Sequence, residues 1–179
     1  MKWPAVLSLF SLILGSLIWI AVWTSVSLLD PAPPGGYREG VADTHLYLLF
    51  SIALMTAGLV TVYLHQAHDL PFVGKAAFLL ALAGFLLFGG GRLLQEFGHN
   101  PQPMAGIGWI LFAVFLVIYS IVCLVKGVFY PTTRTVLLLA AISLLLLSDL
   151  DWRSWLAVPF GLIWAWIGID KLHKEIAWK

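Results

Sequence analysis

The residue most suited to ligand chemistry is Arg92, which follows three glycines near the end of a long apolar segment. Seven residues separate Arg92 from His99, which corresponds to about 10 Å of helix. If this segment crosses a bilayer, the guanidinium must reach the surface, pair with a carboxylate or face a wet cavity. Glu96 can meet it as an i, i+4 partner. Two interpretations follow: an outward-opening ion or anionic-substrate site, and an arginine that only sets the depth of its helix.

Further polar residues lie at the ends of neighbouring apolar segments, on the same predicted side of the membrane as Arg92. Histidine and carboxylate side chains suit zinc and other divalent metals. No HxxxH, HxxE or DxxxD spacing places two such ligands on one helix face, so a metal site would need several helices. Helix caps and solvated loop ends are the alternative, with Asp43 or Thr44 as an N-cap. We therefore predict a substrate-binding group and no metal, with these candidate residues: Arg92, Glu96, Asp43, His45, His99, Asp149 and Asp151.

Haem ligation and nucleophilic catalysis have little support in the sequence. His45 and His99 end adjacent segments and are a conceivable pair of axial ligands, but all five histidines lie at segment ends. Haems in membrane proteins are usually held by histidines deeper in their helices. There is no GxSxG or P-loop pattern, and the single cysteine, Cys123, lies among aliphatic residues. We expect no cofactor and no enzymatic activity.

Composition sets the class of protein. Of 179 residues, 61% are hydrophobic and 11% are charged, and the mean hydropathy is +0.95. Soluble domains average about 25% charged residues, so a water-soluble globule is excluded. The net charge of +1 offers no basic patch for nucleic acid. The sequence predicts an all-α, polytopic membrane protein.

The charge-poor segments are long enough for membrane helices, which need about 20 residues. We predict one transmembrane domain, 1–179, with six spans at about 4–29, 45–65, 76–97, 104–125, 132–149 and 153–171. The first span resembles a signal peptide but is too long, and no small-residue cleavage site follows it. The last two are short, so four spans plus a re-entrant pair is the alternative. Full spanning is favoured because Asp149, Asp151 and Arg153 lie between them and are costly to bury.

The basic residues predict the orientation. With an even number of spans, seven of the ten Lys and Arg residues fall on the side of the termini. The positive-inside rule then places both termini in the cytoplasm. The basic residues on that side are Lys2, Lys75, Lys126, Arg134, Lys171, Lys174 and Lys179, whereas Arg38, Arg92 and Arg153 lie outside.

Tryptophans and small residues suggest how the helices sit and pack. Trp23, Trp109, Trp152 and Trp155 fall near the outer interface, where an aromatic belt is expected. Trp164 and Trp166 are two residues apart and so point to different faces of one helix. Ala77, Ala81 and Gly84 place small residues on one helix face, which favours close helix contact.

The leading functional prediction is a non-enzymatic accessory or scaffold subunit of a complex in the cell (inner) membrane. Its expected partners are the lipid bilayer and other membrane subunits, not nucleic acid. The alternative is a small transporter or solute-binding subunit with its site around Arg92 and Glu96. In size and span number the chain resembles the vitamin-capturing subunits of energy-coupled uptake systems, although the first span lacks an AxxxA coupling face. A haem- or metal-binding membrane protein is a weaker alternative.

Overall fold

The computed structural model describes residues 3–30, 44–97, 102–147 and 151–177. Within these ranges all regular structure is helical, which confirms the all-α prediction. A 3-10 helix, Trp152–Ala157, begins after Asp151, whose backbone is extended, and leads directly into the last α-helix. The α-helices are α1 (Trp3–Ser27), α2 (His45–Gln66), α3 (Phe72–Glu96), α4 (Gln102–Lys126), α5 (Pro131–Leu145) and α6 (Val158–Ala177).

Five helical segments among the described residues are long and apolar enough to cross a membrane. They are Trp3–Ser27, His45–Gln66, Phe72–Leu94, Pro103–Lys126 and Trp152–Ile176. The remaining helix, α5, has 15 residues and is shorter than the others. Five of the six predicted spans therefore meet the length requirement, and the full span at α5 stays a prediction.

The helices form a closed ring in chain order, because each contacts the next and α6 contacts α1. The tightest pair is α3 and α4, whose backbones touch. A Cβ atom added at Gly84 would lie 2.8 Å from the carbonyl oxygen of Gly108, and one at Gly91 would lie 2.7 Å from the Ala105 nitrogen. Glycine at these positions removes the bulk that would separate the helices. The predicted small-residue face is buried, with Ala77 and Ala81 both inaccessible.

Aromatic rings from α1, α3, α4 and α6 fill the middle of the bundle. The Trp19 ring lies 5.8 Å from Phe85 and 5.3 Å from Phe160, centroid to centroid. It stacks on Trp109 with an interplanar angle of 8°. The sequence placed Trp23 and Trp109 near the outer interface. In the structure Trp23 is buried and Trp109 is half-buried against the core, so both rings contact other helices, and their depth in the membrane stays a prediction. We name the group Trp19, Trp23, Phe85, Phe88, Trp109, Phe112, Phe160 and Trp164 the aromatic centre.

Hydroxyl and indole groups join the helices to one another. The Trp19 Nε1 donates to the Ala157 carbonyl at 2.9 Å, and the Ser51 hydroxyl donates to the Gly15 carbonyl at 2.8 Å. The Ser143 hydroxyl, near the end of α5, donates to the Leu156 carbonyl at 2.8 Å. Such bonds connect helices where lipid supplies no hydrogen-bonding alternative.

Candidate functional site

Arg92 lies in the last turns of α3 and is half-buried. Its Cζ atom is 5.4 Å from the centroid of the Phe88 ring, within the range of a cation–π interaction. Gly91 admits the α4 backbone beside it. The Glu96 side chain lies outside the described part of the structure, so the Arg92–Glu96 ion pair stays a prediction.

Among the other predicted site residues, the structure describes His45 and Asp151. His45 is half-buried at the first position of α2, and Thr44 is the N-cap without a side-chain capping bond. Asp151 caps the 3-10 helix by accepting from the Arg153 amide at 2.9 Å. The same carboxylate accepts from Arg153 Nε at 3.0 Å and from Nη2 at 2.8 Å. Asp151 thus orders its own turn. Asp43, His99 and Asp149 lie outside the described residues, and the grouping into one site stays a prediction.

Metal and haem sites have no geometric support in the described part of the chain. No group of three His, Cys, Asp or Glu side chains there is arranged to hold a metal ion. Both ring nitrogens of His65 are engaged, Nδ1 with the Thr61 carbonyl at 2.8 Å and Nε2 with Glu175 at 2.9 Å. This histidine is therefore a contact between α2 and α6.

The aromatic centre leaves almost no internal space. The void beside it has a volume of about 10 Å³ and is lined by apolar side chains that include Phe78, Phe85, Phe160 and Trp164. A water molecule needs about 10–15 Å³ and polar partners to occupy such a space. This void is therefore too small and too apolar to hold water.

A much larger cavity, about 350 Å³, lies where the turn after α4 meets the start of α5 and the last turns of α6. We name it the basic cavity. Arg134, Lys171 and Lys174 line it, and Asp170 is the carboxylate among its lining residues. Three positive charges against one negative give the lining a formal charge of +2.

Local sequence explains how Arg134 reaches this position. Helix α4 ends at Gly127, whose φ of 70° is unfavourable for any residue with a Cβ. Pro131 then starts α5, since proline suits the first helical position. Arg134 lies in the first turn of α5, and its Nη1 donates to the Leu124 carbonyl at 3.3 Å. The guanidinium thus satisfies a carbonyl at the end of α4 that the helix itself leaves unpaired.

On the opposite wall, Lys174 is fixed by two neighbours. Its ammonium donates to Asp170 at 2.7 Å and lies 4.5 Å from the centroid of the Tyr130 ring. Lys171 is half-buried one turn earlier and forms no hydrogen bond or ion pair among the described residues.

This cavity was not predicted from the sequence. Arg134, Lys171 and Lys174 were predicted only to share the cytoplasmic side, and not to meet. The available signal was the shared side of these three basic residues in the predicted topology. Sharing a side does not bring residues into contact, and only the ring order of the helices places α5 beside α6.

The fold and the surface together define the class of this protein. Large apolar side chains stay exposed along the helices, among them Phe10, Leu17, Phe50 and Ile110. With five helices able to cross a bilayer, this is a multi-pass helical membrane protein. No protein-family model matches its sequence, and no curated protein or solved structure matches it either.

Proposed function

We propose that this protein is a non-enzymatic accessory or scaffold subunit of a complex in the cell (inner) membrane. The observation that carries the proposal is the packed aromatic centre, where the void beside the rings has a volume of about 10 Å³ and leaves no room for a solute at that place. An interior of this kind gives a rigid body that can hold partner subunits in place.

The ionisable groups support the same role. Asp151 orders the 3-10 helix through Arg153, and His65 ties α2 to Glu175 on α6. These contacts occur at helix ends, where they fix the relative positions of elements. Catalysis instead requires groups that converge on a site able to exclude water.

We also propose six spans with both termini in the cytoplasm. Two contacts at opposite ends of α5 support this topology. Arg134 at its start bonds to the end of α4, and Ser143 near its end bonds to the 3-10 helix. Helix α5 therefore connects the two ends of the bundle despite its length of 15 residues. In the re-entrant alternative, the turn between α5 and α6 would lie inside the membrane, and the start of α5 and the end of α6 would lie on the same side.

The scaffold role is tested by the mass and composition of the particle that this protein forms in native membranes. The tagged chain is extracted in a mild detergent and purified, and the particle mass is measured by light scattering. We expect a particle heavier than the 19.7 kDa chain, containing at least one different membrane protein in constant ratio between preparations. A particle made of this chain alone would contradict the proposal.

One observation favours the transporter alternative: Arg92 is half-buried beside a close helix contact at Gly91. A thermal-shift panel of small solutes separates the two functions, using wild-type protein and Arg92→Ala. The scaffold proposal expects that any solute shifts the melting temperatures of wild type and Arg92→Ala equally. A solute that raises the wild-type melting temperature and not that of Arg92→Ala would establish the solute-binding role instead.

A further inference from the structure

The basic cavity has the size and charge of a site for a small anionic group. Its volume of about 350 Å³ falls within the range of about 300–1,000 Å³ typical of ligand sites. Its lining carries a formal charge of +2 on side chains that are half-buried. A partly desolvated excess of positive charge is unfavourable until an anion neutralises it. We propose that this cavity binds a phosphate group, and that the headgroup of an anionic phospholipid is its source.

Arg134 and Lys171 are the two direct ligands in this proposal. The Leu124 carbonyl holds Arg134 through Nη1, which orients the guanidinium while its remaining N–H groups can donate to two phosphate oxygens. Lys171 has three ammonium donors and no hydrogen-bond partner among the described residues. Lys174 is bonded to Asp170 and adds positive charge at the wall.

The start of α5 adds to the attraction for an anion. Thr133, in its first turn, lines the same cavity. Pro131 has no N–H and the Arg134 amide donates to the Tyr130 carbonyl at 3.0 Å, but the Thr133 amide has no acceptor within the helix, and the helix dipole is positive at this end. The positive end of α5 and the two cationic side chains thus act on the same volume.

The apolar part of the lining favours a lipid over free phosphate. Val128, Phe129 and Ile167 line the cavity together with Trp166, whose side chain is 60% exposed on the outer surface of α6. A free ion needs no apolar wall, whereas the glycerol and first acyl carbons of a phospholipid would lie against one. Basic cavities between membrane helices are known sites for acidic headgroups.

The test measures melting temperature as a function of lipid in nanodiscs. Full-length protein is placed in phosphatidylcholine discs with increasing phosphatidylglycerol, as wild type, as Arg134→Gln/Lys171→Gln, and as a control. The control, Lys75→Gln/Lys126→Gln, removes the same charge outside the cavity lining. Ligand binding raises stability by mass action, and each lost cation weakens binding about fivefold.

We expect phosphatidylglycerol to stabilise wild type and control equally, and the cavity variant to need about 25-fold more of it. Equal stabilisation of all three proteins, or of none, would overturn the proposal. Inorganic phosphate added to pure phosphatidylcholine discs distinguishes the source. Stabilisation of wild type by phosphate as great as by the lipid, and lost in the cavity variant, supports the phosphate site but assigns it to a soluble anion.

A second measurement covers the case in which the double variant does not fold. Wild-type protein purified from native membranes is examined by native mass spectrometry after detergent exchange. We expect an anionic phospholipid to stay bound, and Lys171→Gln to reduce its occupancy about fivefold. Wild-type protein without bound anionic lipid would overturn the proposal.

Discussion

The indole of Trp19 on α1 donates a hydrogen bond to the carbonyl of Ala157, at the junction of the 3-10 helix and α6, over 2.9 Å. Trp19 is completely buried. One side chain therefore both fills the middle of the bundle and fixes where the last helix begins. Ser27 and Ser154 extend this connection with a hydroxyl–hydroxyl bond of 2.9 Å.

Replacing Trp19 separates the contribution of its ring packing from the contribution of its hydrogen bond to Ala157. We expect Trp19→Phe, which keeps an aromatic ring but loses the donor, to lower the free energy of unfolding by about 1 kcal/mol. Trp19→Ala also creates a cavity and should cost about 4 kcal/mol. Unfolding in mixed micelles of increasing denaturing detergent measures both. Trp166→Ala on the exposed face of α6 is the matched control and should cost less than 1 kcal/mol. Comparable losses at Trp19 and Trp166 would contradict the packed aromatic centre.

The contact between α3 and α4 depends on glycine at position 84. We expect Gly84→Ala to lower stability by about 1–3 kcal/mol, because the new methyl group would press on the Gly108 carbonyl. Gly106 on α4 has nothing within 4 Å of an added Cβ. Gly106→Ala should therefore leave stability unchanged or raise it by up to about 1 kcal/mol. The melting temperatures of the two variants distinguish these expectations, and an equal change in both would disprove the close approach of α3 and α4.

Gly127 ends α4 with a positive φ that only glycine adopts without strain. An alanine there should cost about 1–2 kcal/mol, and its Cβ would lie 3.0 Å from Arg134 Nη1. Asparagine tolerates this conformation better, so Gly127→Asn should cost less than Gly127→Ala. Thermal unfolding of the two variants measures the difference. If they were equally stable, the left-handed end of α4 would not be the controlling feature.

Tyr119 and Gln66 form a buried polar pair between α4 and α2. The Tyr119 hydroxyl donates to Gln66 Oε1 at 2.8 Å, and the Gln66 Nε2 atom has no hydrogen-bond partner among the described residues. Tyr119→Phe should cost about 1–3 kcal/mol because it leaves the amide oxygen unpaired. The double variant Tyr119→Phe/Gln66→Leu should recover part of this loss. A double-mutant cycle of unfolding free energies checks the pair, and additive losses would mean that the two residues do not interact.

The class of protein could be predicted from the sequence because the length of apolar segments and the scarcity of charge suffice for it. Helix α2, for example, begins at His45, where an uncharged segment begins. Packing within the bundle could not be predicted, because the sequence around Trp23 and Trp109 is equally apolar whether their side chains face lipid or the core. Their position depends on which helix faces meet, and this is set by contacts between distant segments.

The candidate site shows the same limit. Arg92 could be identified because an arginine near the end of an apolar segment is unusual. The basic cavity combines Arg134 with Lys171, which are far apart in the chain. Neither residue stands out in the sequence, because basic residues at helix ends are ordinary in membrane proteins.

We propose that the chain crosses the membrane an even number of times, with most of its basic residues on the cytoplasmic side. Reporter fusions at each terminus test this topology, using one reporter that is active only in the cytoplasm and one that is active only outside it. We expect cytoplasmic activity for both termini. Activity on opposite sides would contradict it, because α5 would then not cross, and Lys2 and Lys75 would no longer share a surface with Lys171.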